Sequence, residues 1–276
     1  MVRAATSSER KPLQGHPADF GLQHEDVSFQ PRGVGPTLRG WLLTAPEDGP
    51  AVIIVHGIDS QRTADGAVEL GARLVEAGYQ VLLFDLRGHG ESGGDRVSGG
   101  YFERDDVLGA YDFMLERGAR PGEVGLLGLS MGAGIVIMAA AREGGVGAVV
   151  ADTPFADIDD RIVEEAARRT PLTEGTVPLF LPAATIFADL FYGIDLDDLE
   201  PARDVRRLAY PVLIIHGEAD TRTPVSQSRI VHENAPAGSE LWLVPGAGHV
   251  DAFEVRPDEY MQRVIAYFDG RLRGGE

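Results

Sequence analysis

At 276 residues the chain can bury roughly three quarters of the surface its unfolded form exposes, which suits one large α/β domain better than two small ones. Hydrophobic residues at 43% against 25% charged exclude a disordered chain, and the absence of cysteine excludes disulfides, thiolate metal sites and a cysteine nucleophile. A net charge of −18 argues against nucleic acid as a partner, since neutralising phosphates takes an excess of Lys and Arg.

Residues 1–20 read as a poorly ordered N-terminal extension, and the polar opening, 1–14, lacks the apolar centre of a secretory signal. No apolar run approaches the ~18 residues that cross a bilayer, so the chain is expected to be soluble and cytoplasmic. Residues 25–30 and 37–44 alternate apolar and polar positions around a Gly- and Pro-rich 31–36, the pattern of an antiparallel pair at a sheet edge. The runs 51–55, 80–84, 124–127, 146–151, 211–215 and 240–244 are largely apolar throughout, as strands buried on both faces of a parallel sheet require. Helical periods alternate with them. Residues 64–77 set Ala67, Leu70, Leu74 and Ala77 on one stripe, and 102–117 do the same with Val107, Ala110, Tyr111 and Met114. Residues 131–142 are apolar nearly all round, as in a buried helix, and 225–233 and 258–268 complete the alternation.

Successive strand–helix–strand units predict right-handed crossovers and a doubly wound, mostly parallel sheet. Residues 153–205 break this rhythm. They are far longer than an ordinary connection and hold helical patterns of their own at 155–169 and 179–192, beside Pro171 and Pro178. The core is therefore assigned to 21–152 and 206–276, and the stretch between to a helical cap or lid.

The strongest chemical signal is Gly128-Leu129-Ser130-Met131-Gly132, at the join between an apolar run and an apolar helix. Attack on an acyl carbon needs an exposed oxygen above a helix N-terminus, on a turn too tight for bulky neighbours; glycines two places either side of Ser130 permit it. The helix N-terminus supplies N–H groups where negative charge develops. A serine hydroxyl is a weak nucleophile without an adjacent base. His249, in Gly246-Ala247-Gly248-His249 after the last strand, supplies one, and Asp220, in His216-Gly217-Glu218-Ala219-Asp220, supplies the carboxylate to steady its imidazolium. The chain order Ser, Asp, His is the one such sheets use. Glu218 and Asp152, the latter also after a core strand, are the competing acids.

The remaining histidines read as structural. His56 and His89 tie loops, the latter in a loop held by Asp85 and Arg87 under the site, and His216 is a satisfied core residue; His16, His24 and His232 lack ligand spacing, so no metal is expected. Gly88, Gly90, Gly93 and Gly94 are not followed by the Lys of a phosphate loop, and the acidic run 195–200 reads as a solvated face.

Five pieces in register, His56-Gly57, residues 85–92, residues 128–132, residues 216–220 and Gly248-His249, resemble those of the α/β-hydrolase superfamily. In particular they resemble the bacterial serine hydrolases and esterases related to the fission-yeast Bem46 protein, over residues 21–268. The resemblance implies an eight-stranded, mostly parallel sheet flanked by helices with a helical cap, and an oxyanion hole formed by the backbone N–H groups of Ile58 and Met131. The expected activity is cofactor-free hydrolysis of a small-molecule carboxylic ester through an acyl-enzyme. An apolar pocket is expected from Phe155, Leu179, Phe180, Leu181, Ile186 and Phe187. A serine peptidase or amidase with the same triad, and a non-catalytic binding protein on the same scaffold, are the alternatives.

Overall fold

A computed structural model describes residues 10–45, 49–158, 176 and 193–274. The eight strands among the described residues are β1 (His24–Phe29), β2 (Leu38–Leu43), β3 (Ala51–Val55), β4 (Gln80–Asp85), β5 (Val124–Leu129), β6 (Val146–Asp152), β7 (Leu213–Gly217) and β8 (Glu240–Val244). They form one sheet in the order β1-β2-β4-β3-β5-β6-β7-β8. β1 and β2 pair antiparallel at one edge, β2 also runs antiparallel to β4, and every other pairing is parallel. The alternating pair thus lies at the edge and the largely apolar runs fill the parallel interior, where β3, β5 and β6 are buried along their whole length.

The longer helices are α1 (Ala67–Glu76), α2 (Glu103–Glu116), α3 (Met131–Ala140), α4 (Val225–Asn234) and α5 (Pro257–Phe268). The two-residue period of the strands sorts their side chains between two cores. Ile53, Val55, Leu126 and Val149 pack with α2 and α3, while Val52, Ile54, Leu127 and Val150 pack with α1 and α5 on the other face. α3 is buried at every position because it lies over the middle of the sheet, which accounts for its lack of a polar face.

Some ends differ from the sequence expectation for local reasons. α1 begins at Ala67 because Asp65 and Gly66 are left-handed, with φ of 55° and 74°. β7 begins at Leu213, since Pro211 has no N–H to give and the Val212 N–H donates to Ser239 Oγ rather than to a strand. Residues 10–20, within the stretch expected as a loose extension, lie against the sheet's loops. Arg10 donates to the carbonyls of Gly90 and Ser92, each at 2.7 Å, and the Gln14 N–H donates to Thr63 Oγ1.

The expected helix over 179–192, and all but the first residues of that over 155–169, lie outside the described residues. The flanks of the stretch are described and tied together: the Ile158 N–H donates to Leu199 O and the Ala202 N–H to Ala156 O, both at 3.1 Å. Phe155 is buried against α3, where a Cβ on Gly134 would clash with its ring, and the other expected pocket residues lie outside the described residues. Asp198, its side chain 39% exposed, pairs with Arg104 at 3.0 Å, Arg142 at 2.7 Å and Arg203 at 3.4 Å.

The order of strands fixes where a site can form. From β3 the chain passes to β4 on one side and then to β5 on the other, so the loops leaving β3 and β5 diverge and open a crevice at their C-terminal ends.

Candidate active site

Ser130 stands at that crevice, between β5 and α3, with φ 55° and ψ −119°, a backbone conformation that a non-glycine residue adopts only under constraint. Two features impose it. The Ser130 N–H donates to Asp152 O of the neighbouring strand at 2.9 Å. The first turn of α3 also presses against β3 and β5: a Cβ on Gly132 would lie 2.7 Å from His56 O, and one on Gly128 would lie 2.6 Å from Ala133 N. Only glycine fits at either place, which is the physical content of the G-x-S-x-G spacing. Gly57 closes the other side, where a Cβ would come within 3.5 Å of Ser130 Oγ. Ile58 follows Gly57, and Met131 opens α3 directly after the serine.

His249 arrives from the loop after β8. That loop is joined to the one after β7, because the Glu218 N–H donates to Val244 O at 3.0 Å and the Ala219 N–H to Ala247 O at 2.8 Å. Gly217 is the contact point, with room for no Cβ against the Ala247 backbone. The join sets His249 and Asp220 at a fixed spacing. His249 Nδ1 lies 2.8 Å from Asp220 Oδ2, and its Nε2 lies 2.9 Å from Ser130 Oγ. A carboxylate only accepts, so Nδ1 carries the ring proton and Nε2 is free to accept from the Ser130 hydroxyl. The three side chains singled out in the sequence therefore meet in one hydrogen-bonded line across the crevice.

The Asp220 side chain is fully buried. Burial alone would raise its pKa, but the hydrogen bond from His249 and the backbone N–H groups of Thr223 (2.8 Å) and Arg222 (2.7 Å) on Oδ1 outweigh it and hold the carboxyl below the usual range. The competing acids are placed elsewhere. Glu218 is exposed, and Asp152 accepts from the Thr153 hydroxyl at 3.0 Å and the Tyr260 hydroxyl at 3.1 Å. Burial raises the Asp152 pKa to about 7.

The other histidines near the crevice tie backbone. His56 Nδ1 donates to Gly57 O at 2.7 Å while its Nε2 accepts the Leu86 N–H at 3.0 Å, and burial, with His89 nearby, pushes its pKa down to about 4. It stays neutral and joins the turn after β3 to the end of β4. His89 Nδ1 donates to Arg87 O at 2.9 Å. Asp85 holds that loop, but its cation is Arg62 of the neighbouring loop; Arg87 pairs with Asp106 of α2 at 2.6 Å. Arg62, Tyr260 and the Arg222–Thr223 amides were missed in the sequence. An acid followed two and three residues on by turn amides, then Pro224, is a recognisable local pattern; the Arg62–Asp85 and Tyr260–Asp152 partnerships have no local signal.

A doubly wound sheet of eight strands, crossed by a strained serine turn at its switch point, defines this protein as an α/β-hydrolase. A family profile described as Hydrolase_4, serine aminopeptidase S33, matches residues 47–186, and the chain belongs to that family. It is 28% identical over 253 residues to the Bacillus subtilis protein YqkD, an alignment covering 90% of this chain and 80% of that one. It is 29% identical over 199 residues to the zebrafish (Danio rerio) lysophosphatidylserine lipase ABHD12, covering 70% of this chain and 49% of that protein. Among solved structures the fold matches the Pyrococcus furiosus esterase Pf2001 with a TM-score of 0.77 at 24% identity, over 96% of this chain and 99% of that one. No helix among the described residues is long and apolar enough to cross a membrane.

Proposed function

We propose that this protein is a serine hydrolase of small carboxylic esters, with Ser130 as nucleophile, His249 as general base and Asp220 as the acid behind it. One observation carries the reading: the unbroken line Ser130 Oγ, His249 Nε2, His249 Nδ1, Asp220 Oδ2, with contacts of 2.9 and 2.8 Å at its two joints. As Ser130 Oγ attacks the ester carbonyl, its proton passes to His249 Nε2, and ionised Asp220 stabilises the imidazolium. The backbone N–H groups of Ile58 and Met131 hold the oxyanion of the tetrahedral intermediate. His249 then gives its proton to the departing alkoxide, leaving an acyl-serine and a free alcohol. Water, deprotonated by His249 in the same way, attacks the acyl carbon; the acid leaves and Ser130 regains its proton. No cofactor enters the sequence.

We assign 153–205 as a cap over this crevice, an assignment supported by its closed neck and by the Asp198 ion pairs that fasten its returning end to α2 and the turn after α3. The names of the zebrafish lipase and the Pyrococcus esterase support ester substrates, and the apolar composition of 179–187 supports an apolar acyl or alcohol group. Measurable turnover of p-nitrophenyl esters somewhere between acetate and decanoate is expected. A folded protein inert across that series would end the esterase reading. The family's description favours one second reading, cleavage of peptide or anilide bonds by the same residues. Matched ester and anilide substrates decide between them, with the ester expected to turn over faster.

A further inference from the structure

Asp220 Oδ2 faces two imidazoles. His249 Nδ1 lies 2.8 Å away on the crevice side, and His216 Nε2 lies 3.5 Å away on the inner side. The His216 ring, at the end of β7, is wholly buried. Its Nε2 is 3.0 Å from Thr223 O, and its Nδ1 is 2.6 Å from the hydroxyl of Ser228, itself buried in α4. Thr223 O and the Asp220 carboxylate can only accept, so Nε2 carries the proton and Nδ1 accepts from the Ser228 hydroxyl. One ring thus joins the end of β7, the turn that carries Asp220 and the first half of α4.

The charges that face this ring are Asp220 and His249; Asp220 also acts on Asp152, at the end of β6. A cation at His216 would compete with the His249 imidazolium for the same carboxylate. Burial lowers the His216 pKa and outweighs the Thr223 carbonyl and the Asp220 charge, which favour the cation, while a charged His249 opposes it further. The inner ring therefore acts as a dipole, leaving the Asp220 charge to the outer one.

We propose that His216 is a positioning residue for Asp220, a buried imidazole whose Nε2–H bond to Thr223 O and contact with Ser228 fix the turn that carries the carboxylate in line with His249. This rests on the hydrolase reading of Ser130, His249 and Asp220. Supporting side chains of this kind, one step removed from the reacting groups, typically affect rate by about 10–100-fold where they have been removed from metal sites, and an effect on that order is expected here.

The test compares His216→Gln, whose amide nitrogen reaches the Nε2 position, with His216→Phe, which keeps the ring volume and loses both nitrogens. His216→Asn, whose amide stops near Nδ1, takes the place of the Phe variant should that one not fold. Two readouts are used on the full chain: the low-field proton resonance of the His249 Nδ1–H to Asp220 bond, and the pH profile of kcat/KM for p-nitrophenyl butyrate. The Phe variant is expected to lose the resonance, drop kcat with little change in KM, and move the acid limb of the profile; the Gln variant is expected to retain most of all three. A Phe variant with the wild-type resonance and acid limb overturns the proposal, as does equal loss in Gln and Phe with an unmoved acid limb. Wild-type protein without ester turnover would defeat the hydrolase reading instead. The resonance would still report whether His216 holds the Asp220–His249 pair, so the two failures are told apart.

Discussion

Strands β6 and β7 lie side by side, and each delivers a buried carboxylate to the same end of the sheet, yet the two carboxylates are opposite in character. Asp152, the last residue of β6, accepts from two hydroxyl groups, and burial raises its pKa to about 7. Asp220, in the turn past β7, accepts from two backbone amides and an imidazole, and those bonds hold its carboxyl down despite burial. Position over the crevice does not make a carboxylate a partner for imidazolium. The imidazole and amide N–H donors on Asp220 outweigh burial and favour its charge, which the two hydroxyls on Asp152 do not.

Turnover separates the two carboxylates most widely. Ser130→Ala and His249→Ala are each expected to lower kcat on p-nitrophenyl esters by on the order of 10³-fold or more, in protein that keeps its near-UV circular dichroism. Asp220→Asn is expected to cost roughly 10²–10⁴-fold, since an amide can favour the wrong ring tautomer. Asp152→Asn is expected to stay within about 3-fold, well inside the range that separates a structural change from loss of a reacting group. A larger loss from Asp152→Asn than from Asp220→Asn would exchange the roles of the two acids.

Smaller, and sharper, is the pH dependence of stability. Folding raises the Asp152 pKa, so the native state keeps a proton that the unfolded chain releases, and this group's contribution falls as pH rises from about 4 to about 7. Asp152→Asn removes that loss, so its melting temperature relative to wild type should rise between pH 5 and pH 8, by roughly 2–4 °C per kcal/mol regained. Folding lowers the Asp220 pKa, so its contribution is present above the unfolded value and lost as pH falls through the folded one. The deficit of Asp220→Asn should therefore shrink as the pH is brought below about 4. Parallel melting curves for the two variants at every pH would show that the two carboxylates do not differ as described.

The sheet was legible in the sequence because strands buried on both faces leave largely apolar runs, and an edge pair leaves alternation. Ser130 was legible because the close approach of α3 to β3 and β5 admits nothing larger than glycine at 128 and 132. The choice among Asp220, Glu218 and Asp152 was less so. It turns on which side chain meets His249 Nδ1, and that depends on the amide-to-carbonyl joins between the loops after β7 and β8. The ion pairs of Asp198 left no signal for a related reason: its arginines come from α2, the turn after α3 and its own neighbourhood, and pairings between distant elements leave no period in the sequence.

In the proposed mechanism Ser130 is nucleophilic because His249 and Asp220 make it so. Labelling with a fluorophosphonate, mapped by peptide mass spectrometry, tests it directly. The expected result is a single adduct on Ser130, formed at near wild-type rate in Asp152→Asn, far more slowly in Asp220→Asn, and not detectably in His249→Ala. An adduct on another serine, or a Ser130 that labels equally fast without His249, would contradict it.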